Sequence, residues 1–132
     1  MRESEALGEP AIRRIKRTGF RRVILACSAT WRGLAGAFRD EAAFRQELAL
    51  AVAVIPLGLW LGRTGIERAL LVAPMLNVLI VELINTSIEA VVDRIGLERN
   101  ALAGLAKDIG SAAVFMSFVL LGAVWLIVLW GH

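Results

Sequence analysis

A chain of 132 residues has room for one domain, and 58% hydrophobic content with a mean hydropathy of +0.67 exceeds what a soluble core requires, so lipid is the solvent for much of it. One cysteine, Cys27, and one histidine, His132, exclude an internal disulfide and a His/Cys zinc site, which leaves carboxylates as metal ligands. The net charge is +3, and ten of the fifteen Lys/Arg residues fall in the first 47 positions, an asymmetry that suits an anionic membrane surface rather than nucleic acid.

In chain order, residues 1–10 (MRESEALGEP) read as a polar, flexible tail. The order is acidic first and basic second, unlike a cleavable signal peptide, so no removable segment is expected. Across 11–38, Ile12, Ile15, Val23, Ala26, Trp31, Leu34 and Phe38 interleave with Arg13, Arg14, Lys16, Arg17, Arg21, Arg22 and Arg32, the pattern of an amphipathic surface helix with an interruption near Gly19. A first transmembrane segment is placed at 44–62; its apolar run, Leu48–Leu61, is short and borrows Phe44–Glu47 to cross. The second span covers 69–92 and carries Asn77, Glu82, Asn85 and Glu89. Residues 93–108 mix both charge signs and read as an aqueous loop, and the third span, 109–130, has only Ser111 and Ser117 as polar interruptions. Cations flanking the spans favour a cytoplasmic N-terminus and an external C-terminus. The expected fold class is therefore an all-α membrane protein, with three transmembrane helices and an N-terminal amphipathic surface helix.

Chemistry concentrates in the second span. In VELINTSIEAVVD, Glu82, Asn85 and Glu89 fall at i, i+3 and i+7, and Asp93 follows, forming one polar stripe on a helix. Glu82 and Glu89 are about 10 Å apart along the axis, so they serve different parts of a reaction rather than one shared proton. Each ionisable group inside a span costs on the order of 2.5 to 3.5 kcal/mol on insertion scales, and a stripe of them needs a reason. Polar contacts that pin helices together are one such reason. Function is the other: a partly desolvated carboxylate near the headgroup level is a usable general base for an alcohol, and Glu82, the deeper of the two, fits that role.

A second cluster, DEAAFRQE, crowds Asp40, Glu41, Arg45, Gln46 and Glu47 just before the first span. Alone it reads as a solvated helix start with ordinary charge pairs. Paired with Glu89, Glu41 becomes half of a two-carboxylate Mg²⁺ site of the kind completed by substrate phosphates. Lys107, beside Asp108, either meets a phosphate as a point charge or snorkels at the membrane border. The four tryptophans, Trp31, Trp60, Trp125 and Trp130, sit near segment ends as interfacial belt residues do. Neither a GxxxxGK[ST] phosphate loop nor a GxSxG elbow occurs.

Three motifs, EAAFRQE at 41–47, VELINTSIEAVVDRIG at 81–96 and AKDIGSAAV at 106–114, closely resemble the prokaryotic diacylglycerol kinases, with TGF at 18–20 and WRGL at 31–34 resembling their surface helix. The resemblance covers about residues 19–130. It implies a homotrimer in the bacterial cytoplasmic membrane that transfers the γ-phosphoryl group of MgATP to diacylglycerol. It also implies Glu82 as catalytic base, Asn85 as its support, and Glu41 and Glu89 as metal ligands. Nucleotide contacts carry over to Arg22, Ala29, Glu41, Glu89, Glu98, Lys107 and Asp108. Lipid contacts carry over to Arg22, Trp31, Ala43, Phe44, Arg45, Gln46, Glu47, Trp60, Arg68, Glu82, Ser111, and Trp125 through Trp130. The chain departs from the family where Ser28-Ala29-Thr30 replaces a frequent Gly-Tyr-Ser, and where Arg99-Asn100 replaces Tyr-His after the loop glutamate.

Three other readings compete. Undecaprenol is a membrane alcohol that a kinase of the same family phosphorylates, although EAAFRQE resembles the diacylglycerol-using branch more. A small proton or ion transporter subunit would also place glutamates in a span, but the chain shows no internal repeat and no pair of broken helices. An inactive scaffold would tolerate loss of Glu82.

Overall fold

The computed structural model describes residues 19–95 and 100–131, which form four helices: α1 (Phe20–Asp40), α2 (Ala42–Leu61), α3 (Gly65–Ile95) and α4 (Ala101–Trp130). The expected tail, residues 11–18 of the expected surface helix, Glu98 and His132 lie outside the described residues. The chain divides after Gly33 into two compact units.

In the first unit, Gly19 adopts φ +85°, a left-handed conformation cheap only for glycine, and its carbonyl accepts the N–H of Arg22 at 3.0 Å, so α1 starts where the sequence placed an interruption. Within this helix Thr30 Oγ1 donates to the Ala26 carbonyl at 2.9 Å and Arg32 Nη1 to Ser28 Oγ at 2.5 Å. Phe20, Val23, Ile24 and Trp31 are all exposed.

In the second unit, α2, α3 and α4 are each long and apolar enough to cross a membrane. Helix α3 is central and packs against both neighbours. Its inward seam repeats at intervals of four and three residues, through Leu71, Met75 and Val78, all fully buried. Met75 and Val78 form the core with Ala51 of α2, and Val54, Ile55, Leu79, Phe118 and Leu121 pack around it. Gly58 lets α2 approach closely, since a Cβ there would lie 3.0 Å from Leu71 Cβ. Pro74 removes the N–H that would bond the Leu70 carbonyl, and at the next residue Trp125 Nε1 of α4 donates to the Leu71 carbonyl at 2.9 Å, a tie between the two helices.

The α2–α3 connection is built from its own polar groups. Glu67 N–H donates to Thr64 Oγ1 at 3.1 Å, Arg63 N–H donates to the Glu67 carboxylate at 2.7 Å, and Arg68 Nε donates to the Gly62 carbonyl at 3.0 Å. Glycine is required at 62, because a Cβ would come within 2.8 Å of the Arg68 backbone nitrogen.

Two helices run further than their apolar segments. The stretch 93–108, expected as an aqueous loop, is helical at both ends: α3 continues to Ile95, and the first eight residues of α4 precede the apolar run. The cause is local, since Asn100 Oδ1 accepts the Leu102 N–H at 2.8 Å and starts α4 with a side-chain cap. An ion pair, Lys107 Nζ to Asp93 Oδ1 at 2.9 Å, then ties the two extended ends together. Hydropathy marks what lipid covers, not where a helix stops. Only 6% of the most apolar stretch of α4 is buried within the chain.

Candidate active site

The inward seam of α3 does not end at Val78. The same four-and-three spacing carries it to Glu82, Asn85 and Glu89, so the helix presents apolar side chains to its neighbours over one half and polar ones over the other. Glu82 is 4% exposed and Asn85 8% exposed, while Glu89 is half-buried. Helix α2 repeats the pattern in reverse: Ala51 and Gly58 of its buried seam are apolar, but one turn earlier Glu47 is only 7% exposed. Helix α4 closes the third side with Gly110, which is buried.

These seams converge on a set of carboxylates. Glu82 is within electrostatic range of Glu89 and Glu41, and Glu47 is within range of Glu82. Asn85 Nδ2 donates to Glu89 Oε1 at 3.2 Å, which orders the stripe along α3. Two buried oxygens here, Asn85 Oδ1 and Glu47 Oε2, have no hydrogen-bond partner among the described residues, and a buried acceptor without one costs on the order of 1 to 3 kcal/mol. A Cβ on Gly110 would collide with Asn85 Oδ1, so α4 approaches this point without a side chain.

Among the described residues no group of three or more His, Cys, Asp or Glu side chains is placed to hold a metal ion. Carboxylates suit a hard cation that completes its shell with phosphate oxygens and water, as Mg²⁺ does.

The other residues expected at the site are distributed more widely. Lys107 is engaged by Asp93, while Asp108 and Ser111 are exposed nearby on α4. Phe44 is buried; Ala43 and Gln46 are exposed. The Arg45 guanidinium is turned to the backbone of α1, donating to the carbonyls of Phe38 and Arg39. Trp60, Arg68, Trp125 and Trp130 lie at the opposite end of the helices, where Gly122, Trp125, Leu126, Leu129 and Trp130 line an apolar groove of about 490 Å³. On α3 alone, Arg68 and Glu89 are about 30 Å apart. Arg22, Ala29 and Trp31 belong to the first unit and are exposed.

Sequence reasoning missed Gly110 and did not group Glu47 with the other carboxylates. The signal for Glu47 was present, because Phe44, Glu47, Ala51 and Gly58 recur at helical spacing on one face.

Fold and site together define a multi-pass helical membrane protein with a buried carboxylate group toward one end of its spans. Residues 28–129 match the family model for prokaryotic diacylglycerol kinase. The chain is 46% identical over 115 residues to the diacylglycerol kinase of Escherichia coli (strain K12), covering 87% of this chain and 94% of that protein. It is also 46% identical to the diacylglycerol kinases of Haemophilus influenzae (83% of this chain, 93% of that protein) and Pseudomonas aeruginosa (86% and 93%). The chain belongs to the prokaryotic diacylglycerol kinase family.

Proposed function

We propose that this protein phosphorylates the primary hydroxyl of diacylglycerol with ATP, at the cytoplasmic face of the bacterial inner membrane, as a homotrimer with its N-terminus cytoplasmic. The observation that carries the reading is Glu82: a carboxylate 4% exposed, on the inward seam of a spanning helix, one turn from the Asn85–Glu89 pair. A protein that needed only helix packing would continue the apolar seam of Leu71, Met75 and Val78 through this position.

Glu82 acts as general base. Its carboxylate takes the proton of the lipid hydroxyl as that oxygen bonds to the γ-phosphorus, and the bond from the γ-phosphorus to the β–γ bridging oxygen breaks to release ADP. Asn85, held through its amide by Glu89 Oε1, keeps the stripe in register beside the base. Glu41 and Glu89 hold the Mg²⁺ that accompanies ATP, and when bound that ion neutralises charge developing on the phosphates. Lys107 and Asp108 meet the nucleotide from α4, with Arg22, Ala29 and Glu98 as further nucleotide contacts. Acyl chains lie along the helices toward Trp60, Arg68, Trp125 and Trp130. Trp31, the Ala43–Glu47 turn and Ser111 contact lipid nearer the headgroup, and α1 rests on the membrane surface through its apolar residues.

The test is transfer of label from γ-labelled ATP into the organic extract of reconstituted protein, with diacylglycerol and undecaprenol offered separately. Label on diacylglycerol that disappears in Glu82→Gln, with the oligomer intact, supports the reading. Label on undecaprenol alone moves the substrate, and full activity in Glu82→Gln removes the base.

A further inference from the structure

Helices α1 and α2 are joined by a single non-helical residue, Glu41, with φ −110° and ψ 114°. An extended residue between two helices would ordinarily be a free hinge. Here it is held on both sides: its N–H donates to the Ala37 carbonyl at 2.9 Å, and its carbonyl accepts the Arg45 N–H at 3.3 Å. The last carbonyls of α1 have no partners within their own helix, as at any helix C-terminus. Arg45, one turn into α2, supplies them, its Nη1 donating to Phe38 O at 2.8 Å and to Arg39 O at 2.9 Å. The charge suits the place, because a cation at a helix C-terminus interacts favourably with the helix dipole. Neighbouring Arg39 cannot do this work, being bonded to Asp40 at 3.0 and 3.1 Å.

We propose that Arg45 is a positioning residue for phosphoryl transfer: by clamping the last turn of α1 to the first turn of α2, it fixes the backbone of Glu41 and aims that carboxylate at the metal of the nucleotide. The inference rests on the assignment of Glu41 to that metal. It gives Arg45 a role in addition to lipid contact, with both hydrogens of Nη1 engaged by backbone carbonyls and the other guanidinium donors left for the lipid. It also explains why arginine serves here, whose planar fork is preorganised where a lysine ammonium is not.

Two measurements on the full chain in lipid test it, using Arg45→Gln, Arg45→Lys and Glu41→Gln. Amide hydrogen exchange reads the clamp directly: Glu41 and Arg45 amides should exchange faster in Arg45→Gln, and unchanged rates would overturn the clamp. Titration of protein into Mn²⁺ complexed with a non-hydrolysable ATP analogue, followed by electron paramagnetic resonance, reads the aim of Glu41. Arg45→Gln should weaken binding about tenfold, the scale of a hydrogen bond lost, with Arg45→Lys intermediate. Wild-type affinity in Arg45→Gln beside a weakened Glu41→Gln overturns the positioning role while leaving Glu41 at the metal. A shift confined to the lipid KM returns Arg45 to lipid contact. Unchanged affinity in Glu41→Gln removes the metal assignment and the positioning role with it, and the exchange result then stands as a structural fact alone.

Discussion

Replacing Gly110 with alanine places a methyl group where Asn85 Oδ1 already sits. In an exposed helix interior the exchange of glycine for alanine is favourable by about 1 kcal/mol, because alanine is the better helix former. At Gly110 the sign reverses. Inserting a methyl into a packed interior costs about 1 to 3 kcal/mol, and the group that must yield is a buried amide whose Nδ2 is bonded to Glu89 Oε1 at 3.2 Å. If Asn85 rotates away, that bond to a carboxylate goes too, worth roughly 1.5 to 3 kcal/mol. Gly110→Ala should therefore lower the rate of lipid phosphorylation by roughly 10- to 100-fold, since about 1.4 kcal/mol corresponds to a factor of ten. Gly104, six residues earlier on α4, has open space where its Cβ would lie, so Gly104→Ala is the matched control and should leave the rate unchanged. Initial rates of label transfer in mixed micelles, with thermal inactivation of both variants, decide the matter. Equal rates for the two alanine variants would refute the claim that α4 fixes Asn85 by close approach.

Trp125→Phe keeps an aromatic ring but removes the donor to the Leu71 carbonyl, and should shorten the half-life of thermal inactivation by an amount equivalent to about 1 kcal/mol. Glu47→Gln removes one of the interacting buried carboxylates and should raise the inactivation temperature by a few degrees, the response to a change of about 1 kcal/mol; a lower temperature would mean that the charge of Glu47 is stabilised by something other than its neighbours. Hydrogen bonds from Arg39 hold the Asp40 carboxyl below the ordinary carboxylate range, so its contribution is present above the unfolded value near ~4 and is lost as pH falls through the lower folded one. Because both partners are exposed that contribution is small, and inactivation curves of wild type and Asp40→Asn should run parallel above about pH 5 and converge in acid.

The three spans and the polar stripe of Glu82, Asn85 and Glu89 were legible because each rests on local pattern: apolar length and helical spacing. What was not legible depends on contacts between distant segments. Asn100 and Lys107 looked like parts of a loop because charge density marks water, while the side-chain cap and the Asp93 pair that make this segment helical pass unnoticed in a hydropathy reading. Gly110 had no chemical signature at all; its importance appears only when Asn85 is found against it. Arg45 reads in sequence as part of a solvated helix start with ordinary charge pairs and, by resemblance, as a lipid contact, since nothing in EAAFRQE indicates that its side chain turns backward to cap the preceding helix.

The uninterrupted seam of α3 also limits how the gene for such a protein can change. One residue inserted between Val78 and Glu82 would rotate everything beyond it by about 100° and leave Glu82 and Asn85 facing outward, while the packing of Leu71 and Met75 stayed as it was. The result would be an assembled bundle with its acids out of phase. Insertions or deletions of seven residues restore the phase but displace the acids by about 10 Å along the axis, away from Glu47 and Gly110 on the flanking helices. The distance from Leu71 to Glu89 is thus a fixed length in this architecture, and tolerated changes of chain length belong outside it.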